Sequence, residues 1–182
     1  MDGLAVLENY REAKRSVIMT RKEREMMRRK DREITDGKKI EEIIAKARYM
    51  HLGMLDGHVP YVVPLHYGYR MEAGRLIFYM HCAKEGHKLD CLKANSHVFV
   101  EIDRGESLIT ADNPCAYGAR YESVMCRGTA VIVEDTEEKM EALKILMKTQ
   151  TGEEHEINEK MAAAVNVIRV DAESYTAKAC VR

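Results

Sequence analysis

The sequence predicts an α+β fold, a small antiparallel β-barrel with helices packed on its outside. Short valine- and tyrosine-rich segments with strand-like alternation follow one another at hairpin spacing, and turn signals separate them. Helical segments are too few between them for a doubly wound parallel sheet. The 182 residues, 46% hydrophobic and 32% charged, fit one globular domain with a terminal arm. A chain of this length buries roughly 70% of the surface its unfolded form exposes, so its core needs no disulfide or structural metal. Collagen-like, disordered and disulfide-scaffold classes are excluded by composition.

The elements follow in order. Leu4, Leu7, Tyr10, Ala13 and Val17 recur at helical spacing and predict a helix over residues 4 to about 25. A second helix is expected from Lys38 to about Tyr49, with Asp36 as its N-cap and Ile40, Ile43, Ile44 and Ala47 on one face. Strands are expected over Tyr49–Leu55, Val59–Tyr69 and Arg75–Cys82, closed by turns at Asp56-Gly57 and Glu72-Ala73-Gly74, as an antiparallel meander. Pro64 sits in mid-strand and cannot donate to a ladder, which marks an edge, a bulge, or backbone turned toward something else.

A short helix over Glu85–Leu92 precedes a strand over His97–Asp103 and a loop over Arg104–Arg120. Tyr121–Val133 reads as a long strand in which Gly128 makes a kink or bulge. Helices are expected over Thr136–Lys148 and His155–Ala164, then strands over Val165–Val170 and about Thr176–Val181.

The net charge of -1 hides an uneven distribution. Between Arg11 and Lys39 stand 12 Lys or Arg against 6 Asp or Glu, so that arm carries +6 and the remainder -7. Nucleic-acid contact is one reading of the arm. A solvated helix surface is favoured, because acids are interleaved and Tyr10 is the segment's one approach to a base-stacking aromatic. No membrane span is expected, since the longest stretch without Asp, Glu, Lys or Arg is Gly57–Tyr69. The five scattered cysteines read as reduced thiols, and the absence of an export signal points to the cytoplasm.

The sequence has no HxxxH, HExxH, CxxC, GxSxG, GxGxxG or Walker A pattern. A metal site would have to assemble in space, and none is assigned, because histidines without ligand spacing are far more often ordinary packed or surface residues. What remains is the junction Lys84-Glu85-Gly86-His87-Lys88, where two lysines meet a predicted helix start and Gly86 permits close backbone approach. It suits a phosphate, held by free N–H groups and charge-assisted hydrogen bonds. It equally suits the basic first turn of a surface helix.

Pro60-Tyr61-Val62-Val63-Pro64-Leu65 with Tyr67-Gly68-Tyr69, then His81-Cys82-Ala83-Lys84-Glu85-Gly86-His87-Lys88-Leu89-Asp90, resembles the flavin-binding core of pyridoxamine 5'-phosphate oxidase-like proteins. Within them the chain is most similar to the nitroimidazole-resistance-related group. Met27–Glu33 resembles that group's opening, and Tyr121-Glu122-Ser123-Val124 with Gly128 extends the likeness over most of the chain. The resemblance implies a six-stranded antiparallel split β-barrel with peripheral helices over residues 34–182, preceded by a basic helical extension over residues 1–33. It also implies a homodimer with FMN at the subunit interface and a small organic electron acceptor such as a nitro compound.

By position, Pro64, Leu65 and His66 would lie along the isoalloxazine. His81, Cys82, Ala83 and Lys84 would follow the ribityl chain, and Lys88 would meet the phosphate. Tyr121 and Ser123 would approach across the dimer interface. His66 is the candidate N–H donor near the pyrimidine end, with packing against a neighbouring helix as the alternative. His87 stands where relatives often carry Lys or Arg. Tyr175-Thr176-Ala177-Lys178 replaces the C-terminal Arg-x-His arrangement, so pyridoxamine oxidation is not assigned. The alternative function is a flavin- or haem-binding carrier or sensor without turnover.

Overall fold

The computed structural model describes residues 17–18, 27–72 and 74–181. Helix α1 (Gly37–Lys46) begins where the Asp36 side chain accepts from the Lys38 N–H at 3.0 Å, as its position predicts. Its apolar face, Ile40, Ile43 and Ile44, is buried in the barrel core. Strands β3 (Met50–Asp56) and β4 (Val59–Leu65) form a hairpin whose turn places Gly57 at φ 61°. Met50, Leu52 and Met54 face inward at the two-residue period of a strand with one buried side.

A second hairpin joins β5 (Gly68–Glu72) to β6 (Arg75–Cys82). Then follow α2 (His87–Ala94), β7 (His97–Ile109), β8 (Gly118–Val133), α3 (Thr136–Thr151), α4 (Glu159–Ala163) and β9 (Asn166–Cys180). The main path of the sheet runs β4-β3-β7-β8-β9-β6-β5, antiparallel at every step. Two short strands add to β9, β2 (Glu33–Ile34) antiparallel and β1 (Val17–Ile18) parallel.

The antiparallel barrel with outer helices is therefore what forms, with one informative departure from the expected meander. The sheet's two edge strands, β4 and β5, are consecutive in the chain and separated only by His66 and Tyr67. The run read as one strand over residues 59–69 breaks there, and no ladder among the described residues closes the barrel across the break. Instead Tyr67 is buried, and its hydroxyl donates to the Ile44 carbonyl of α1 at 2.6 Å. Helix α3 covers the same place so closely that a Cβ on Gly68 would lie 2.5 Å from the Leu146 Cα.

Other corrections concern length. β7 continues past Asp103 to Ile109 through a register shift between Arg104 and Ser107, where Gly105 has φ 121°. The predicted loop shrinks to a short 3-10 turn, Pro114–Ala116, and its flanks. The two C-terminal strands are one, β9, because β8 pairs with nearly its whole length. The expected irregularity at Gly128 is present as a register shift between Arg127 and Gly128. There the backbone of β9 comes so close that a Cβ would meet the Asp171 carbonyl at 2.5 Å. The helix expected over residues 4 to 25 lies outside the described residues except at Val17–Ile18, which are extended. No described helix is long and apolar enough to cross a membrane.

Candidate functional site

Two fixed points show how the fold arranges the residues singled out around the barrel's split. At one end Gly68 pairs with Tyr79 in the β5–β6 ladder. At the other the His87 ring meets the Tyr61 ring edge-on at 5.0 Å. Between these points no ladder joins the segments 61–67 and 80–87. Pro64, Leu65 and His66 lie in the chain between these two contacts, and His81, Cys82, Ala83 and Lys84 lie between the same two on the other segment, with Lys88 just beyond. Tyr61 lies four residues from Leu65, about 13 Å along a strand. That distance separates the α2 corner from the His66 end.

At the His66 end, Tyr49, His51, Pro64, Leu65 and His66 line a groove of about 510 Å³. Strand alternation sends Pro64 and His66 outward, while Leu65 packs against the core. The Gln150 side chain of α3 donates to the Tyr67 carbonyl at 2.7 Å, which turns its amide oxygen toward His66 Nδ1 at 3.1 Å. Because the Tyr67 carbonyl can only accept, the His66 Nδ1 carries the proton. His66 therefore does contact a neighbouring helix, while its ring remains exposed.

At the α2 corner, Gly86 takes φ 148° and ψ 155°, a region essentially reserved for glycine, and no side chain caps the helix. Lys84 is exposed and Lys88 half-buried. Asn166, which opens β9, donates to the Lys84 carbonyl at 2.9 Å and fixes the loop before the helix. Burial pushes the Cys82 thiol up, and the Lys88 charge partly opposes this. His81 is outward and exposed on β6. His87 does not turn toward the lysines. Its Nε2 lies 2.9 Å from Asp56 Oδ2 at the end of β3.

Tyr121 and Ser123 are not brought to this group within one chain. β8 lies three ladders from β4, roughly 14 Å at about 4.8 Å per strand. Ser123 lines a separate cavity of about 370 Å³ with Arg28, Arg29, Arg127, Tyr175 and Lys178. It is 4% exposed, and its hydroxyl has no hydrogen-bond partner among the described residues. Tyr121 stands nearby, accepting from Arg32 at 3.3 Å with Arg32 and Lys178 each 5.9 Å from its ring centre.

Sequence reasoning missed several residues. His51 Nδ1 lies 3.2 Å from Glu101 Oε2, and burial together with the Asp103 charge raises the Glu101 carboxyl. Burial alone would raise Glu122 as well, but Lys39 and Arg104, at 3.0 and 2.7 Å, hold it below the usual range. The outer face of the sheet also carries Leu55, Val62 and Phe99, exposed at 39, 56 and 41%. Gln150 and Asn166 had no local signal, since each acts on a loop more than eighty residues away.

A family model described as pyridoxamine 5'-phosphate oxidase matches residues 36–179. The chain belongs to that family. Among solved structures it is similar to a candidate 5-nitroimidazole antibiotic resistance protein from Bacteroides thetaiotaomicron, with 34% identity and a TM-score of 0.70. That match covers 81% of this chain and 86% of the other. Two further likenesses support the fold. A FAD and heme binding protein from Mycobacterium smegmatis matches with TM-score 0.71 and 16% identity over 83% of this chain and 74% of its own. The flavocytochrome Anf3 from Azotobacter vinelandii matches with TM-score 0.70 and 19% identity over 86% and 73%. No curated protein matches the sequence. The pyridoxamine 5'-phosphate oxidase fold thus extends from just before α1 almost to the end of β9.

Proposed function

We propose that this family member is an FMN-binding flavoprotein that passes electrons to a small organic acceptor such as a nitro compound. The observation that carries the reading is a pair of unlike polar regions on one chain. One is the uncapped helix start with Lys84 and Lys88, which the edge strand β4 joins to the groove over Pro64, Leu65 and His66 about 13 Å away. The other holds a buried, unpartnered Ser123 hydroxyl among Arg28, Arg29, Arg127 and Lys178. An FMN-class ligand fits such a set. The first-turn N–H groups of α2 and the two lysines bind its phosphate, and β4 with Pro64 and Leu65 orients the ring system. Ser123 is a ready donor for a polar ring edge that a second copy presents.

Bound flavin supplies the electron transfer, and the protein's part is binding, orientation and exclusion of solvent. The outward Leu55, Val62 and Phe99 give a second copy an apolar surface on the same face as both regions, which supports a homodimer. All five cysteines are free thiols, which suits a reducing cytoplasm.

The visible absorption spectrum of purified protein is the primary test. A flavin spectrum, native or after adding FMN, is expected, and a colourless protein that takes up no FMN overturns the proposal. Steady-state oxidation of a reduced nicotinamide cofactor by a nitroaromatic then separates the reductase from a flavin or haem carrier, which would bind its cofactor without turnover.

A further inference from the structure

We propose that Asp56, His87 and Cys91 form a three-ligand site for a divalent cation of the zinc class, joining the β3–β4 hairpin to the start of α2. His87 and Cys91 are one helical turn apart, so both side chains fall on the same face of α2. Asp56 reaches them as the last residue of β3. His87 Nε2 lies 2.9 Å from Asp56 Oδ2 and 3.7 Å from Cys91 Sγ, and all three ligand atoms lie within 4.8 Å of one another. A tetrahedral zinc ion would hold such atoms about 3.3 to 3.6 Å apart, given its usual bond lengths of roughly 2.0 to 2.3 Å. The two His87 distances lie within a few tenths of an ångström of these values, and Asp56 and Cys91, which lie within 4.8 Å, have at most about 1.2 Å to close.

The donor set narrows the ion. One thiolate, one imidazole and one carboxylate match a borderline-soft metal, whereas magnesium and calcium call for oxygen alone. A thiolate and a carboxylate together neutralise a 2+ ion. The Tyr61 ring, edge-on to His87, holds the imidazole in place from the hairpin side. Cys91 is 3% exposed, while the His87 and Asp56 side chains are more than half exposed, so the ion has an entry path and a fourth position open to water. On binding, the Cys91 Sγ–metal bond replaces the S–H bond and the thiol proton leaves to the buffer. No electron changes hands.

The test uses the full chain after treatment with a chelator, titrated with Co²⁺ and then Zn²⁺. One cobalt ion per chain should bind with a thiolate-to-cobalt charge-transfer absorption, and zinc should displace it. Cys91→Ser should remove that absorption. Asp56→Asn, at an exposed position, should keep the far-ultraviolet circular dichroism of the parent and weaken zinc binding by more than the roughly 10- to 100-fold that loss of an outer-shell partner costs. If Cys91→Ser does not fold, the Asp56→Asn titration alone decides. Absence of the charge-transfer band, its persistence in Cys91→Ser, or unchanged zinc affinity in Asp56→Asn overturns the proposal. None of these readouts depends on flavin.

Discussion

The two regions border one sheet yet are built by different means. The split between β4 and the β6–α2 run exists because an edge strand ends there. Pro64 lacks an N–H, no ladder crosses to β5, and the helix that follows starts on an uncapped glycine. Its polarity comes from backbone and from two lysines. The β8–β9 cavity sits over strands that pair on both sides of the shift at Gly128, and its polarity comes from side chains, with four cations lining it beside one buried hydroxyl. The difference teaches that backbone left free at an edge can serve a ligand at no cost to a ladder. A site over a paired strand must bury a polar side chain instead, and that side chain costs stability while it lacks a partner.

The largest expected effect tests the first region alone. Lys84→Ala with Lys88→Ala should weaken FMN binding at least about a hundredfold, because each charge-assisted hydrogen bond is worth roughly 1.5 to 3 kcal/mol. Fluorescence titration reads this, and unchanged affinity would move the phosphate elsewhere. Gly68→Val attacks the frame of the same region by driving a side chain into the α3 backbone 2.5 Å away. A loss of ~3 kcal/mol in urea unfolding is expected, and a neutral result would mean that α3 is not seated there.

Ser123→Ala sharpens the contrast by changing sign between states. The unliganded protein should gain on the order of 1 kcal/mol as a buried unpaired hydroxyl is removed, while FMN affinity should fall roughly fivefold. A loss of stability without ligand would show that the hydroxyl is already satisfied. The smallest effect concerns Glu101, between the two cavities. Its carboxyl is raised above the usual 4.5 by burial first and by Asp103 second. The folded state then binds more protons than the unfolded state, so this group takes stability away as pH rises from about 4.5 through the raised value. Glu101→Gln should remove that decline in parallel unfolding curves, and an unaltered pH profile would count against it.

What was legible along the chain was local. Asp36 capping α1, the Asp56-Gly57 turn and the lysines around Gly86 depend on residues within a few positions of one another, where sterics and spacing decide. The irregularity at Gly128 was also legible, since a glycine in a long strand needs a reason. Residues 171–175 fall between the two predicted strands, yet β9 runs through them because the ladders with β8 on one side and β6 or β1 on the other satisfy its backbone. Among its described residues the conspicuous basic arm acquires a local meaning where Arg28 and Arg29 border the Ser123 cavity and where Arg32 and Lys39 meet Tyr121 and Glu122.

By itself, then, the sequence determined the class of fold, its turns and caps, and the cationic corner at Lys84 and Lys88, because each is set by short-range geometry. Tertiary structure decided that β4 and β5 are the two edges of one sheet. It also decided that Gln150 orients His66, that Ser123 is buried with no hydrogen-bond partner among the described residues, and that Asp56 meets His87 and Cys91. Those outcomes depend on strand order and register, which bring together residues dozens of positions apart. No local preference encodes such meetings, and only closure of the barrel around its core selects them.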